Sequence, residues 1–500
     1  MTDNVTSERP ALARSLKPLH VWSLAFGSII GWGCFVLPGD SFLPGSGPWG
    51  TVLGFAVSAL LLCAVAYIYA EMIAHAPVAG GEYAHTYIGF GPSWAFVCGW
   101  ALVLGYISII GANVTALGLL VRYLLPGVFE FGALYSIAGW DVYAGEVMLM
   151  TAAVLVFGYV NHRGIGIAGA LQAVLALTLS AGVVALFCGS LSVDGASLDN
   201  LRPAFAPQQP ALFSVLAIVA IAPWAFVGFD TVSQSAEEFS FSPRRSRTIM
   251  FAAIIWGALV YSLMTLAVAI VMPYPQLLAA MEELRASGLP AWATGAACEL
   301  AYGRLGAVIL ALAMLAGVCT GIMGFYVATT RLMFSMGRGG ILPQWFAAIH
   351  PRHQTPHKAI LFTSAVALIV PWCGRGVLIW IVDMSSVGIG LAYLFTCLSG
   401  YRVLSATRTR GRGISLAVAV LGAIISAACI LLLLTPGSPA YISIQARWAM
   451  LVWIVLGAVF YLVSRRSWLQ QSEELIRTRI LGDLQITVHF GSGRSSGSRA

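Results

Sequence analysis

The 500-residue chain is 59% hydrophobic and 9% charged, with a mean hydropathy of +0.85. A soluble domain carries about 25% charged residues, so the composition excludes one and identifies an all-α polytopic membrane protein that meets a lipid bilayer. The net charge of +7 follows from the loop asymmetry below and calls for no nucleic-acid partner.

The nine cysteines show no CxxC and sit in or beside apolar spans, as small buried residues do. The eight histidines form no HExxH. His350 and His353 have a ligand-like separation, but in a Pro-rich loop they read as solvated. No metal and no cofactor is called for, and no catalytic cluster marks an enzyme.

Spans need about 20 apolar residues each. After a polar tail over 1–18, spans are expected near 19–46, 50–74, 92–123, 145–160 and 165–192. A second group follows near 211–239, 247–272, 304–337, 357–373 and 376–401, and two more near 413–435 and 446–465. The domain reading is therefore a first five-helix unit over 19–192, a second over 211–401, two additional helices over 413–465, and a tail over 466–500. The first span has no small-residue cleavage site and reads as an uncleaved helix. Between the seventh and eighth spans, LLAAMEELRA suggests a helix outside the membrane. The stretch from Trp468 to Leu484 reads either as an interfacial helix or as a solvated tail, and the final GSGRSSGSRA as disordered.

With both ends in the cytoplasm, 21 of the 27 Lys and Arg fall on cytosolic segments, among them Arg9, Arg408, Arg410, Arg494 and Arg499. Outer segments hold Arg122, Arg202, Arg285, Arg304, Arg375 and Arg447. This is the positive-inside asymmetry, and an odd number of spans would spoil it.

Two spans are internally weak. Val21 to Gly39 carries Gly27, Gly31 and Gly33 mid-span, with Pro38 after them. Glycine costs a helix interior about 1 kcal/mol relative to alanine, and an unpaired backbone group in hydrocarbon costs several kcal/mol. Such a segment is suited to lining a cavity, or else to close helix packing. Ile221 to Phe239 repeats the anomaly with Pro223, Gly228 and the adjacent Asp230. A charge near a helix centre costs about 2.5–3.5 kcal/mol on insertion scales, so Asp230 faces a cavity or a partner.

Breaks in the first and sixth spans suggest two five-helix halves of opposite topology with a site at their interface. Half-helix ends carry about +0.5 and −0.5 charge, which suits a zwitterion.

The series Gly27-Ser28-Ile29-Ile30-Gly31-Trp32-Gly33-Cys34-Phe35 resembles the first-helix signature of the amino acid–polyamine–organocation superfamily of transporters. Tyr69-Ala70-Glu71-Met72 with Pro77 to Tyr83 resembles its second-to-third connection. Gly89 to Trp100 resembles the start of its third helix, and Asn161 to Gly164 with Gln172 the join of its fourth and fifth. Gly228-Phe229-Asp230, Ala236-Glu237-Glu238 and Pro243 are similar to the sixth helix and loop of its amino acid permeases. Thr330-Arg331, Gly337-Arg338, Ile341-Leu342-Pro343 and Thr355-Pro356 are similar to the end of its eighth. The order holds from Lys17 to Tyr401.

The resemblance implies a leucine-transporter-like 5+5 inverted repeat with about twelve helices, helices 1 and 6 discontinuous. It implies a secondary active permease moving amino acids across the cytoplasmic membrane by alternating access, with polyamine or other organic-amine exchange as the alternative and a channel as a remote one. Substrate carboxylate is then expected on Ser28, Ile29, Ile30, Gly31, Trp32 and Gly33, and its amino group on carbonyls of Trp224, Ala225 and Phe226 near Gly228. Trp224 and Asp230 take gating or coupling roles. Trp32 departs from the family pattern, where a small residue is common.

A helix-five lysine of proton-coupled members is absent at the position aligned with Leu179. The coupling ion is thus Na+ or H+, with exchange open. Sodium would use Gly27, Ile30, Thr320 and its neighbour Cys319, and uptake is expected to answer to sodium or internal substrate rather than to a proton gradient alone.

A reporter active only in the cytoplasm, fused to either end, should give signal from both. A silent but expressed C-terminal fusion would overturn the span count.

Overall fold

The computed structural model describes residues 10–484 and 486, apart from 138, 194, 287–291, 375–377, 407–411, 439–440 and 470. Arg9, Arg375, Arg408, Arg410, Arg494, Arg499 and the GSGRSSGSRA tail lie outside the described residues.

The first expected span is two helices, α1 (Pro18–Ile30) and α2 (Gly33–Leu37), continued by a π-turn over Pro38–Phe42. It runs on into α3 (Leu43–His75), whose helical path is broken at Gly47. A short helix α4 (Gly81–Phe90), not foreseen in the sequence, ends at Gly91-Pro92, where the proline opens α5 (Pro92–Leu124). A hairpin, β1 (Ala133–Ile137) against β2 (Trp140–Tyr143), was also not foreseen. It leads into α6 (Ala144–Arg163) and α7 (Ile165–Ser190).

The sixth span is again two pieces, α8 (Ala211–Ala225) and α9 (Thr231–Gln234). After it come α10 (Ser246–Val271), the expected helix outside the spans as α11 (Tyr274–Ala286), and α12 (Ala293–Arg338), which is kinked at Gly303. Then follow α13 (His357–Ala367), α14 (Leu378–Ala406), α15 (Arg412–Leu434), α16 (Ile444–Leu469) and α17 (Glu473–Leu481). Among the described residues, nine helical stretches are long and apolar enough to cross a membrane, the first of which, Pro18–His75, holds two expected spans. With the shorter apolar helices Ala211–Ala225 and His357–Cys373, they coincide with the expected series.

Burial sorts these helices into centre and rim. The most apolar stretch of Pro92–Leu124 is 78% buried, against 22% for Arg412–Leu434 and 11% for Ile444–Arg465. The last two therefore turn Leu-, Val- and Ile-rich surface outward, where lipid tails are as favourable a neighbour as another helix. The centre is α1, α5, α10 and α12; the first broken span runs through it, and of the second the piece α9 packs on α1 and α12 while α8 packs on α3.

One face of the bundle carries both ends of the described residues, and buried ion pairs lock it. Arg331 donates to Glu238 at 2.9 and 3.3 Å, and Arg338 to Glu237 at 2.9 and 2.8 Å. The N-terminal tail threads beneath them. Leu12 N–H reaches Glu237, the N–H groups of Ser15 and Leu16 reach the Glu238 carbonyl at 3.0 Å, and the Pro10 carbonyl accepts from Arg338. The motif acids and arginines noted in the sequence are thus partners across 93 and 101 residues. On the same face α17, begun by a Ser472 side chain that accepts Leu475 N–H at 3.2 Å, buries Ile476, Ile480 and Leu481. The tail between Trp468 and Leu484 therefore holds a helix docked on the protein.

Removing one member of a buried ion pair leaves an uncompensated charge and costs about 3–5 kcal/mol. Arg338→Ala should lower the midpoint of thermal unfolding by several degrees and loosen the N-terminal tail, read as faster amide exchange over residues 10–16. An unchanged midpoint with unchanged exchange would show that the pair does not hold this face shut.

Candidate functional site

The two breaks have distinct local causes. Helix α1 stops because Gly31 adopts φ 46°, ψ −145°, a conformation open to glycine at little cost. Its N–H turns back to the Gly27 carbonyl at 3.3 Å. Helix α8 is weakened by Pro223, which removes one helical donor, and the chain then leaves helix through Gly228 at φ 132°. A Cβ on Gly228 would stand 2.6 Å from both the Ile29 nitrogen and the Ser28 Cβ. The breaks therefore touch, and only glycine permits the contact.

Between them lies a cavity of about 20 Å³ lined by all of Ser28 to Gly33 and by Trp224. That is room for about one water. The rings of Trp32 and Trp224 meet in its lining, their centroids 5.8 Å apart at 58°, and any larger ligand needs the lining to move. Trp32, which the sequence left free to turn outward or to shrink the pocket, is 6% exposed and shrinks it. Of the other expected residues, Ala225, Phe226 and Gly228 stand behind the lining rather than in it, and Val227 takes their place.

Besides Val227, four lining residues escaped the sequence reading altogether: Ile109, Ala112, Asn113 and Tyr261. The Tyr261 hydroxyl of α10 lies 3.2 and 3.4 Å from the Ile29 and Ile30 carbonyls and donates to one of them, capping the orphan end of α1. Ile109 is an apolar wall. Asn113 of α5 anchors its Nδ2 on the Ile109 carbonyl at 2.9 Å, which leaves its buried Oδ1 without a partner. The Ser28 Oγ is likewise buried and unpartnered. No composition signal distinguishes one membrane Tyr or Asn from another, so only the fold selects them.

The backbone supplies the rest. The N–H groups of Ser28, Ile29 and Ile30 lie inside α1, and that of Gly31 is committed to Gly27. The donors that face the break are those opening α2, at Gly33 and Cys34. Across the gap, the carbonyls of Ala225, Phe226 and Val227 receive no hydrogen bond from the described residues. Donors on one side and acceptors on the other are complementary to a zwitterion.

The expected cation residues come together only in part. The buried Thr320 hydroxyl lies 3.0 Å from the Gly27 carbonyl and 2.7 Å from that of Gly317, and donates to one of them. Ile30 is drawn instead to Tyr261, and Cys319 adds no polar contact among the described residues. Gln172 of α7 crosses to the Ser23 and Thr320 carbonyls at 3.2 and 3.1 Å and so ties α1, α7 and α12 together.

Asp230 does not line the cavity. It is fully buried, accepts the Gly228 N–H at 2.7 Å on Oδ1, and accepts the Tyr106 hydroxyl on Oδ2. The same Tyr106 oxygen lies 3.4 Å from Glu82 of α4, also fully buried. Glu82 Oε2 accepts from Ser233 at 2.9 Å and from Gln234. Tyr69 and Tyr393 wall the pair in, and none of the salt bridges among the described residues reaches it. Glu82 belongs to the motif Gly80-Gly81-Glu82-Tyr83, yet its spacing from Asp230 gave no hint that they meet.

The family model described as amino acid permease matches residues 16–460. The chain belongs to that family. Its relatives include a methylthioribose transporter of Bacillus subtilis, 27% identical over 77% of this chain and 80% of the relative. A branched-chain amino acid permease of the same organism is 28% identical over 73% and 76%. A vacuolar cationic amino acid transporter of Arabidopsis thaliana is 28% identical over 79% of this chain and 60% of that protein. This permease is therefore an integral membrane transporter of amino acids or related substrates and not an enzyme. Its first-helix motif builds the break, its sixth-helix motif closes on that break through Gly228, and Tyr261 holds the ends in place.

Tyr261→Phe removes one hydroxyl at nearly constant volume. A hydrogen bond is worth about 1 kcal/mol, so ligand affinity should fall about fivefold with protein yield unchanged. Wild-type affinity in this variant would remove Tyr261 from the site.

Proposed function

We propose that this permease is a secondary active transporter that carries a small neutral amino acid across the cytoplasmic membrane by alternating access, with both ends of the chain in the cytosol. The observation that carries the reading is the contact of the two breaks around one small cavity, with unpaired polar groups beside it. The substrate carboxylate sits on the N–H groups of Gly33 and Cys34. Its ammonium meets the Asn113 Oδ1 and the Val227 carbonyl.

A neutral side chain is favoured because, beyond the uncharged Ser28 and Asn113, the lining adds Ile, Ala and Val side chains and the rings of Trp32, Trp224 and Tyr261. No carboxylate is in contact with the cavity, which speaks against a polyamine. Rocking of the 19–192 unit against the 211–401 unit opens it on one side past Trp32 and Trp224. On the other side it opens past the Arg331–Glu238 and Arg338–Glu237 pairs.

The buried acids bear on coupling. Two carboxylates in one low-dielectric pocket without a cation do not both ionise. One phenol proton serves one acceptor, and Tyr106 gives it to Asp230. The remaining contact works when Glu82 is protonated and donates to the phenol oxygen. A transported proton on Glu82 is thus favoured over sodium, which the sequence had ranked with exchange.

Thermal unfolding of purified protein with neutral amino acids, cationic amino acids, polyamines or methylthioribose identifies the substrate class. A ligand at a hundred times its dissociation constant adds about 2.7 kcal/mol. Stabilisation by a neutral amino acid is expected, and by none of the amino acids would refute the reading. Uptake should fall as pH rises and Glu82 loses its proton, and Glu82→Gln should flatten that dependence. An unaltered pH profile in Glu82→Gln would assign coupling elsewhere.

A further inference from the structure

The chain-end face carries a second cluster, away from the transport cavity. Helix α6 ends there in Asn161-His162-Arg163, and the loop between α12 and α13 folds across it. The loop is fixed by its own hydrogen bonds. His350 N–H donates to the Thr355 carbonyl at 2.8 Å, Gln354 N–H to the His350 carbonyl at 3.0 Å, and the Thr355 hydroxyl to the His162 carbonyl at 3.0 Å. This brings together three imidazoles that the sequence separated by almost 190 residues. Ring centroids lie 4.9 Å apart for His162 and His350, 5.3 Å for His162 and His353, and 4.7 Å for His350 and His353. One nitrogen from each ring lies within 4.8 Å of the other two. All three rings are half-buried, so they are neither sealed in the core nor free in solvent.

From these positions we propose that His162, His350 and His353 form a binding site for one borderline divalent metal ion, with zinc as its representative. Zinc–imidazole bonds are about 2.0–2.1 Å, which sets tetrahedral ligand nitrogens about 3.4 Å apart, within about 1.5 Å of the upper limit seen here. Side-chain rotation closes that gap without moving the backbone. Three nitrogen ligands without a carboxylate select first-row transition ions over calcium or magnesium, which take oxygen.

His350 Nδ1 accepts the N–H groups of Arg352 and His353 at 3.3 and 3.2 Å, contacts long enough for a metal bond to replace. The nearby Arg163 is turned along α6 onto the Tyr159 hydroxyl at 2.6 Å, away from the cluster. His357, its ring 5.6 Å from that of His350 and its Nδ1 buried without a partner, stands just outside the triad. The fourth position is left to water or to His357. A bound ion ties the α12–α13 loop to the end of α6, across the face that the arginine pairs also close.

Full-length protein freed of any affinity tag, in lipid nanodiscs, is titrated with ZnCl2 by calorimetry and with CoCl2 by visible absorption. Binding of one equivalent is expected, with a cobalt d–d band of tetrahedral intensity and no competition from excess CaCl2. His162→Gln and His353→Gln should each weaken zinc at least tenfold, while His75→Gln, far from the cluster, should not. Absence of saturable zinc binding to the wild-type protein would overturn the proposal. So would wild-type affinity in both cluster variants, which would assign the metal to another site and the triad to loop packing.

Discussion

In hydrocarbon, every backbone N–H and C=O must find a partner within the protein, and this permease breaks two helices in its centre nonetheless. Each exposed end is answered by a specific group. Tyr261 caps the end of α1 at the Ile29 and Ile30 carbonyls, Thr320 reaches toward Gly27, and Asp230 takes the N–H of Gly228. Left unanswered beside the breaks are the buried Asn113 Oδ1 and Ser28 Oγ and the carbonyls of Ala225 to Val227. On the proposed reading, a solute with matching donors and acceptors completes the set, so that the constraint that forbids loose backbone in a bilayer also selects the ligand.

Buried charge is handled in two ways. On the chain-end face each acid has an arginine, Glu237 with Arg338 and Glu238 with Arg331. Such pairs are weak evidence for net stability but expensive to break singly, which suits a closure that opens as a unit. Glu82 and Asp230 have each other and Tyr106 instead. Acids without cations in a membrane interior are typical of proton relays.

How much could be read from sequence depended on the length of the signal. Apolar runs of about 20 residues fixed the spans closely: 92–123 was expected and Pro92–Leu124 observed. The breaks were legible because glycine and proline are rare for a reason inside a lipid-facing helix. Helix α4 and the β1–β2 hairpin were missed, since ten or fewer residues between spans carry too little periodicity to register.

The site divided in the same way. Ser28 to Gly33 and Trp224 were expected from the glycine breaks and the resemblance to the superfamily, and they line the cavity. Tyr261, Asn113, Tyr106 and Glu82 were not, because their roles arise from contacts across 24 to 232 residues. Trp32 looked anomalous and lines the cavity against Trp224. His162, one residue before Arg163 in a motif, gained meaning only when the loop bearing His350 and His353 was seen against it.

Electron microscopy of the permease with its stabilising ligand bound tests the central claim most directly. The account predicts ligand density between the two breaks, the carboxylate beside the N–H groups of Gly33 and Cys34, the amino group at Asn113, and the Trp32 and Trp224 rings moved apart from their 5.8 Å contact. Ligand bound elsewhere, with those two rings still closed on each other, would contradict it.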